Sequence, residues 1–328
     1  MIHFVTTRTH SYTLKKVVQR HGKQRCRQWT YERLFILKSI PTGTWIFTDH
    51  ERLSAHELEK AARIATILKD GGSRVLNHPA LVRGRFELLR RLHEAGINSF
   101  SIMRCESSPR PSRFPVFIRN EFDHNSSAIS LIETQADLED ELQQMEKRGI
   151  PLVGKIVIEY AGEEIFPKLW HRLATYRVAD KTMAHHVAFG DSWLVKDGLS
   201  KEAKEAHPDR EKIIAFERDF VTQNLYDDVL KKVFAIARIE YGRADFSIVN
   251  NQVQIYEINT NPNHAAEPQV IGESTPQDQL LHIQTENELQ DAIININQPD
   301  DGKIEINDSL IKRLKGRYWG MVRSGWRP

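Results

Sequence analysis

The segment from Arg243 to Pro262, Arg-Ala-Asp-Phe-Ser-Ile-Val-Asn-Asn-Gln-Val-Gln-Ile-Tyr-Glu-Ile-Asn-Thr-Asn-Pro, constrains the fold more than any other stretch of the chain. Two β-rich runs flank Asn250-Asn251, a turn signal, so residues 243–259 read as a β-hairpin. Side chains alternate along a strand, which puts Asp245, Ser247 and Val249 on one face and pairs Glu257 with Asn259 on the other strand. A pairing centred on Asn251 sets Asp245 opposite Glu257, whereas a tight two-residue turn at 250–251 sends them to opposite faces. Convergence of the two carboxylates therefore requires a three- or five-residue loop, or a bulge. Two carboxylates and the Asn259 amide would offer only oxygen, which suits hard Mg²⁺; with no His or Cys among them, zinc is disfavoured. The spacing alone equally allows a polar hairpin face that is merely solvated.

Elsewhere the pattern is that of an α/β chain. Residues 2–6 and 44–48 read as strands, and between the second of these and Val75-Leu76 lies a helix opened by Ser54 and Glu57 in capping-box spacing. Strand, helix and strand at this spacing imply a small lobe with a parallel sheet. An amphipathic helix is expected over 80–95, a loop over 105–113, strands at 116–118 and 156–158, a charged helix over 135–148, two strands around an Ala179-Asp180-Lys181 turn, and helix from 200 to 237.

The formal charge of +2 is too small to imply nucleic acid, and no stretch approaches the roughly 20 apolar residues of a membrane span. Cys26 and Cys105 stand far apart without ligand spacing, and the first residues lack a signal-peptide pattern, so a cytoplasmic location is expected. The basic tail 312–319, with Trp319 and Trp326 near the end, reads as an amphipathic helix closing the core in preference to a nucleic-acid or membrane surface.

The run Tyr241-Gly-Arg-Ala-Asp-Phe246, then a dozen residues to Glu257-Ile-Asn-Thr-Asn-Pro262, resembles the ATP-grasp superfamily, which includes D-alanine–D-alanine ligase and glutathione synthetase. The resemblance implies that Asp245, Glu257 and Asn259 bind two Mg²⁺ ions, with Mn²⁺ as a substitute, on the phosphates of ATP, and that Arg243 lies near those phosphates. Phe114-Pro-Val-Phe-Ile-Arg119-Asn120, followed by the polar run 124–127, resembles the family strand whose charged end meets the phosphates. Asn77-His-Pro and the helix from Arg85 to Gly96 resemble a second family pattern. At both places the family's lysine is replaced, by Arg119 and Arg85; guanidinium keeps the charge but changes the donor geometry. Ile158-Glu159-Tyr160 resembles the adenine hinge, with Glu159, Glu163 and Glu164 as candidates for the ribose hydroxyls. The hairpin around 176–196 resembles one whose arginine, here Arg177, faces the transferring phosphoryl group; adjacent His185 and His186 are expected to point to opposite faces.

The resemblance spans about 75–265 and implies an ATP-grasp fold: two α+β subdomains clasping ATP, preceded by a small α/β lobe. Expected boundaries are an N-terminal lobe at 1–76, a connecting helix and linker at 77–112, a small subdomain at 113–190, a metal-binding subdomain at 191–275 and a helical tail at 276–328. The implied activity is ADP-forming ligation: a small-molecule or peptide carboxylate becomes an acyl phosphate and is attacked by an amine, thiol or other nucleophilic co-substrate. Arg177 and Arg243 are the catalytic candidates, and no nucleic acid or membrane partner is expected; a homodimer is one allowed assembly. The alternatives are an ATP-grasp kinase acting on a hydroxyl, with His185 or His186 as base, and a catalytically inactive nucleotide-binding module.

Overall fold

The architecture is that of a computed structural model, which describes residues 1–122, 130–196, 198–200, 203, 206–263 and 276–307, with 276–280 described in backbone only. Of the sequence expectations, the polar run 124–127, part of the 200–212 stretch and the basic tail 312–319 fall outside the described residues.

The first lobe runs β1 (Ile2–Thr6), α1 (Lys15–His21), β2 (Cys26–Thr30), α2 (Tyr31–Leu34), β3 (Ser39–Pro41), β4 (Thr44–Phe47), α3 (Ala55–Asp70) and β5 (Arg74–Leu76). Its parallel sheet has the order β2-β1-β4-β5. The capping box at α3 is formed, with Ser54 Oγ accepting from the Glu57 N–H and the Glu57 carboxylate accepting from the Ser54 N–H. The strand β2 was not foreseen: Cys-Arg-Gln-Trp-Thr is polar at its centre and carries no clear alternation, and it pairs along its whole length with β1.

A connecting helix α4 (Arg85–Glu94) leads to β6 (Ile102–Arg104), β7 (Val116–Asn120), α5 (Gln135–Lys147) and β8 (Lys155–Glu159). The three strands form an antiparallel sheet ordered β6-β8-β7. Then come β9 (Glu164–Phe166), β10 (Leu169–Val178), β11 (Lys181–Gly190), α6 (Arg210–Gln223), α7 (Asp227–Ala237), β12 (Tyr241–Val249) and β13 (Gln252–Asn259). These strands make the largest sheet, ordered β11-β10-β12-β13, with β9 on β10.

Strand alternation gives this sheet two chemically distinct faces. Leu173, Ala244, Phe246 and Ile255 join Phe220 of α6 and Leu230, Val233 and Phe234 of α7 in the principal core. Each fully buried Leu or Phe in such a cluster contributes on the order of 2 kcal/mol. The opposite face carries Arg172, Ala174, Tyr176, Arg243 and Asp245.

The C-terminal part differs from a purely helical tail. Helix α8 (Pro276–Asn295) buries Leu289, Ala292 and Ile293 against Ile2, Phe4 and Ile46 of the first lobe and against Tyr176, Val178 and Tyr241 of the large sheet. Strand β14 (Lys303–Glu305) then pairs antiparallel with β3. The chain's last described element thus closes on its first lobe.

Asn77 anchors that lobe to the large sheet. It is fully buried with φ +55, and its side chain donates to the carbonyls of Phe47 and Tyr241 while accepting from the N–H groups of Glu240 and Tyr241. Asparagine tolerates this left-handed backbone and satisfies four buried polar groups at once.

Candidate active site

The hairpin has the tight turn and also brings the carboxylates together. Asn250 and Asn251 both have positive φ, 50° and 61°, the signature of a two-residue type I′ turn, and Val249 pairs with Gln252. The register then shifts by one: Phe246 pairs with Ile255, but Asp245 pairs with Glu257, leaving Tyr256 as an additional residue in β13. This bulge reverses the parity of everything beyond it, so Glu257 meets Asp245 and Asn259 meets Arg243. Of the three devices the sequence allowed, the bulge is the one present.

Both carboxylates are held by pairs of arginines. Arg243 grips Asp245 in bidentate fashion, Nε to Oδ1 at 2.7 Å and a terminal nitrogen to Oδ2 at 2.9 Å, and Arg172 donates to Oδ2 at 3.0 Å. Glu257 Oε2 accepts from Arg85, with Arg119 at 3.6 Å on the other side. Arg85 also donates to the carbonyls of Asn120 and Glu121, which fixes the end of β7 beside the hairpin. Burial works against the charge on Arg243, but the adjacent Asp245 carboxylate and Tyr176 hydroxyl more than offset it, and its pKa rises.

Four of these groups, Arg119, Arg172, Asp245 and Glu257, line a cavity of about 420 Å³, within the roughly 300–1,000 Å³ usual for small-molecule sites. Lys196 adds to its charged lining, and Leu89, Phe100, Phe117, Ile158 and Trp193 supply apolar lining. The Trp193 ring lies 5.2 Å from Phe117, tilted, and 5.5 Å, edge-on, from Tyr160, so three aromatic rings cluster on the cavity wall. Tyr256, the bulged residue, faces this cavity and donates its hydroxyl to the Ala161 carbonyl at 2.7 Å.

The acidic candidates separate clearly. Glu159 is committed: its carboxylate accepts from the N–H groups of Ser101 and Ser112 and from Ser112 Oγ. Burial raises its pKa, yet those hydrogen bonds outweigh burial and the net shift is downward. The expectation of Glu159 at a ribose is therefore corrected for its side chain, which is spent in pinning the 101 and 112 loops, while its backbone borders the cavity with Ile158 and Tyr160. Glu164 lies outside the lining and accepts from the Lys168 N–H. Glu163 lines the cavity and accepts from the Asn250 N–H at 2.6 Å, tying the hairpin turn to the rim.

Arg177 also corrects an expectation. It is one residue out of phase with Tyr176, so it projects to the helix face, where Nε donates to the Ala179 carbonyl and the guanidinium lies 5.8 Å from the Phe234 ring. The β10 arginine on the site face is Arg172, in phase with Tyr176; its charge already suggests, with Lys196, an anion-friendly pocket, and both line the cavity. His171 has no such signal in the sequence. It lines the cavity and is buried, Nε2 accepts the Ile248 N–H, and Nδ1 has no hydrogen-bond partner among the described residues. Since Nε2 accepts, the neutral ring carries its proton on Nδ1, and burial lowers the pKa to about 4.

The donor set fits a hard divalent cation. Asp245 and Glu257 are cross-strand neighbours, and the Asn259 side-chain oxygen, which already accepts the Asn261 N–H at 2.9 Å, retains a second lone pair. Among the described residues no three His, Cys, Asp or Glu side chains cluster for a metal, so a cation here would need Asn259, water and ligand oxygens to complete its coordination. The same residues also exclude a soft-metal site.

No protein-family model and no curated protein sequence matches the chain. Similar solved structures exist. D-alanine–D-alanine ligase from Bacillus anthracis, complexed with ATP, is 11% identical with a TM-score of 0.47, over 88% of this chain and 98% of that one. A RimK domain protein ATP-grasp from Sphaerobacter thermophilus is 10% identical with a TM-score of 0.49, over 90% and 99%. A RiPP-associated ATP-grasp ligase from Chryseobacterium gregarium, solved with ADP and a leader and core peptide, is 14% identical with a TM-score of 0.49, over 90% and 95%. At such identities the likeness says nothing of substrate or reaction.

Proposed function

We propose that the chain is an ATP-dependent, ADP-forming ligase that converts a carboxylate to an acyl phosphate for attack by a nucleophile. The observation that carries this reading is the bulged pairing of Asp245 with Glu257, four arginines around them, in the lining of a cavity that also holds an aromatic cluster. Such a lining suits a nucleotide in polarity: the base would lie against Phe117, Tyr160 and Trp193, and the phosphates toward Arg119, Arg172 and Lys196. Asp245, Glu257 and Asn259 would hold Mg²⁺, which when bound supplies charge neutralisation on the β- and γ-phosphates.

The chain's own residues do the rest. Arg85 and Arg119, now paired with Glu257, would turn one face of their guanidinium forks to the phosphates. Arg243 and Arg172 would stand beside the phosphoryl group as its charge spreads over the equatorial oxygens. No side-chain nucleophile is needed, because the acyl phosphate is attacked directly by the co-substrate.

The test is ADP release measured against a panel of carboxylates, each with and without an amine or thiol. Turnover that needs both co-substrates supports the ligase. Turnover with a hydroxyl compound alone supports a kinase. Tight Mg·AMP-PNP binding with no ADP from any combination supports an inactive nucleotide-binding module.

A further inference from the structure

One row of the large sheet runs Glu257, Asp245, Ala174, His186 across four strands. With strands about 4.8 Å apart, His186 stands roughly 10 Å from Asp245 on the same face. In that row Ala174, the residue with the smallest side chain, lies between them. In β11 the register shifts between Ala174 and Thr175, pairing them with His186 and Ala184 and leaving His185 as the additional residue. The two histidines therefore do not diverge as consecutive strand residues should: their Nδ1 atoms are 2.8 Å apart. On its far side, His185 Nε2 lies 3.4 Å from Glu286 Oε2 on α8, and the Tyr176 ring packs 4.9 Å from the His185 ring.

The chemistry of this chain has one direction. Glu286 accepts from His185 Nε2–H, so His185 Nδ1 carries a lone pair and accepts from His186 Nδ1–H. His186 Nε2 is then an unprotonated nitrogen. We propose that Glu286, His185 and His186 form a relay whose His186 end takes the proton from the attacking nucleophile. The inference rests on the ligase reading above. In the step, the nucleophile's lone pair forms a bond to the acyl carbon, and the C–O bond to phosphate breaks with its electron pair leaving on phosphate. The proton lost by an amine, thiol or hydroxyl passes to His186 Nε2, and the imidazolium is stabilised through His185 by Glu286.

The groups around His186 are His185 on its own strand, Arg172 and Tyr176 on β10, Arg243 and Asp245 on β12, and His282 and Glu286 on α8. Burial, then the charges of His185, Arg243, Arg172 and His282, holds its pKa well below the ordinary value, which keeps it neutral and able to accept a proton. Phosphates arriving beside Arg172 and Arg243 would offset those charges and make His186 more basic when the nucleophile needs it.

The experiment uses the full-length chain labelled with ¹⁵N-histidine, with His186 assigned from the resonances lost in His186→Gln. The expected result is a His186 ring protonated on Nδ1 at neutral pH, a titration midpoint that rises on adding Mg·AMP-PNP, and a fall in that midpoint in Glu286→Gln. A proton on Nε2 instead, or a midpoint indifferent to both changes, overturns the relay. In the ADP-release assay, His186→Gln should lose about 10²-fold or more with an amine acceptor. It should lose far less with hydroxylamine, which needs little help in shedding its proton; equal loss with both contradicts a base. If the unaltered chain binds no Mg·AMP-PNP by calorimetry, the ligase reading falls and the relay with it. If it binds and His186 does not respond, the relay alone falls.

Discussion

The two edges of the large sheet carry the same device. Strand β13 has an additional residue at Tyr256 and strand β11 has one at His185, and each sits next to the row that holds Asp245 and Ala174. At the β13 edge the slip brings Glu257 and Asn259 onto the site face. At the β11 edge it turns two consecutive histidines toward one another. Without either bulge the sheet would be as stable in its core, since Leu173, Phe246 and Ile255 face α6 and α7 regardless. What the pair of bulges decides is the chemistry of the face turned away from α6 and α7, carboxylates at one end and imidazoles at the other, with guanidinium groups between.

The largest expected effect comes from breaking the carboxylate end. Asp245→Asn leaves the buried Arg243 without its bidentate partner, which should cost about 3–5 kcal/mol of unfolding free energy by chemical denaturation. Next is the anchor that holds this sheet against the first lobe. Asn77→Ala abandons four buried hydrogen-bonding groups and puts a Cβ-bearing residue without a compensating side chain at φ +55, for an expected loss of about 3 kcal/mol.

A pH effect follows in size. Burial lowers His3, His50 and His171 each to about 4, so below about 6.5 the unfolded chain binds protons that the folded chain refuses. Stability from these residues is complete above that value and falls as the pH drops toward 4. Each should contribute a loss of about 2 kcal/mol at pH 5 relative to pH 7. Denaturation of His171→Gln at the two pH values checks this: its pH dependence should shrink by that amount, and an unchanged dependence would deny the buried neutral ring. The smallest effect tests the two faces of β10. Arg172→Gln should weaken Mg·AMP-PNP binding about tenfold, roughly 1.4 kcal/mol, while Arg177→Gln should leave it within about twofold. The reverse order would mean that the faces have been assigned wrongly.

The two bulges also measure what a sequence can disclose. At the hairpin, the turn chemistry of Asn250-Asn251 conflicted with the equidistance of Asp245 and Glu257, and that conflict pointed to an irregularity before its place was known. At β11 no such conflict exists, because nothing in His185-His186 contradicts plain alternation, and the rings were expected to diverge. Resemblance singles out Arg177 for the phosphoryl group, whereas strand parity with Tyr176 puts Arg172 on the site face. Glu159 looked like a ribose ligand because the serines that engage it, Ser101 and Ser112, lie 58 and 47 residues away in sequence. The α/β organisation, the capping box and most strands were legible in local pattern. Strand β2 and the return of β14 to β3 were not, since pairing between distant segments leaves little mark on either.

The most direct measurement is isothermal titration of the chain with AMP-PNP, with and without Mg²⁺, for the unaltered protein and for Glu257→Gln. The account predicts nucleotide binding that needs the metal and that weakens at least tenfold in the variant. Binding that is as tight without Mg²⁺, or unchanged by Glu257→Gln, would contradict the assignment of the paired carboxylates to a metal–nucleotide site.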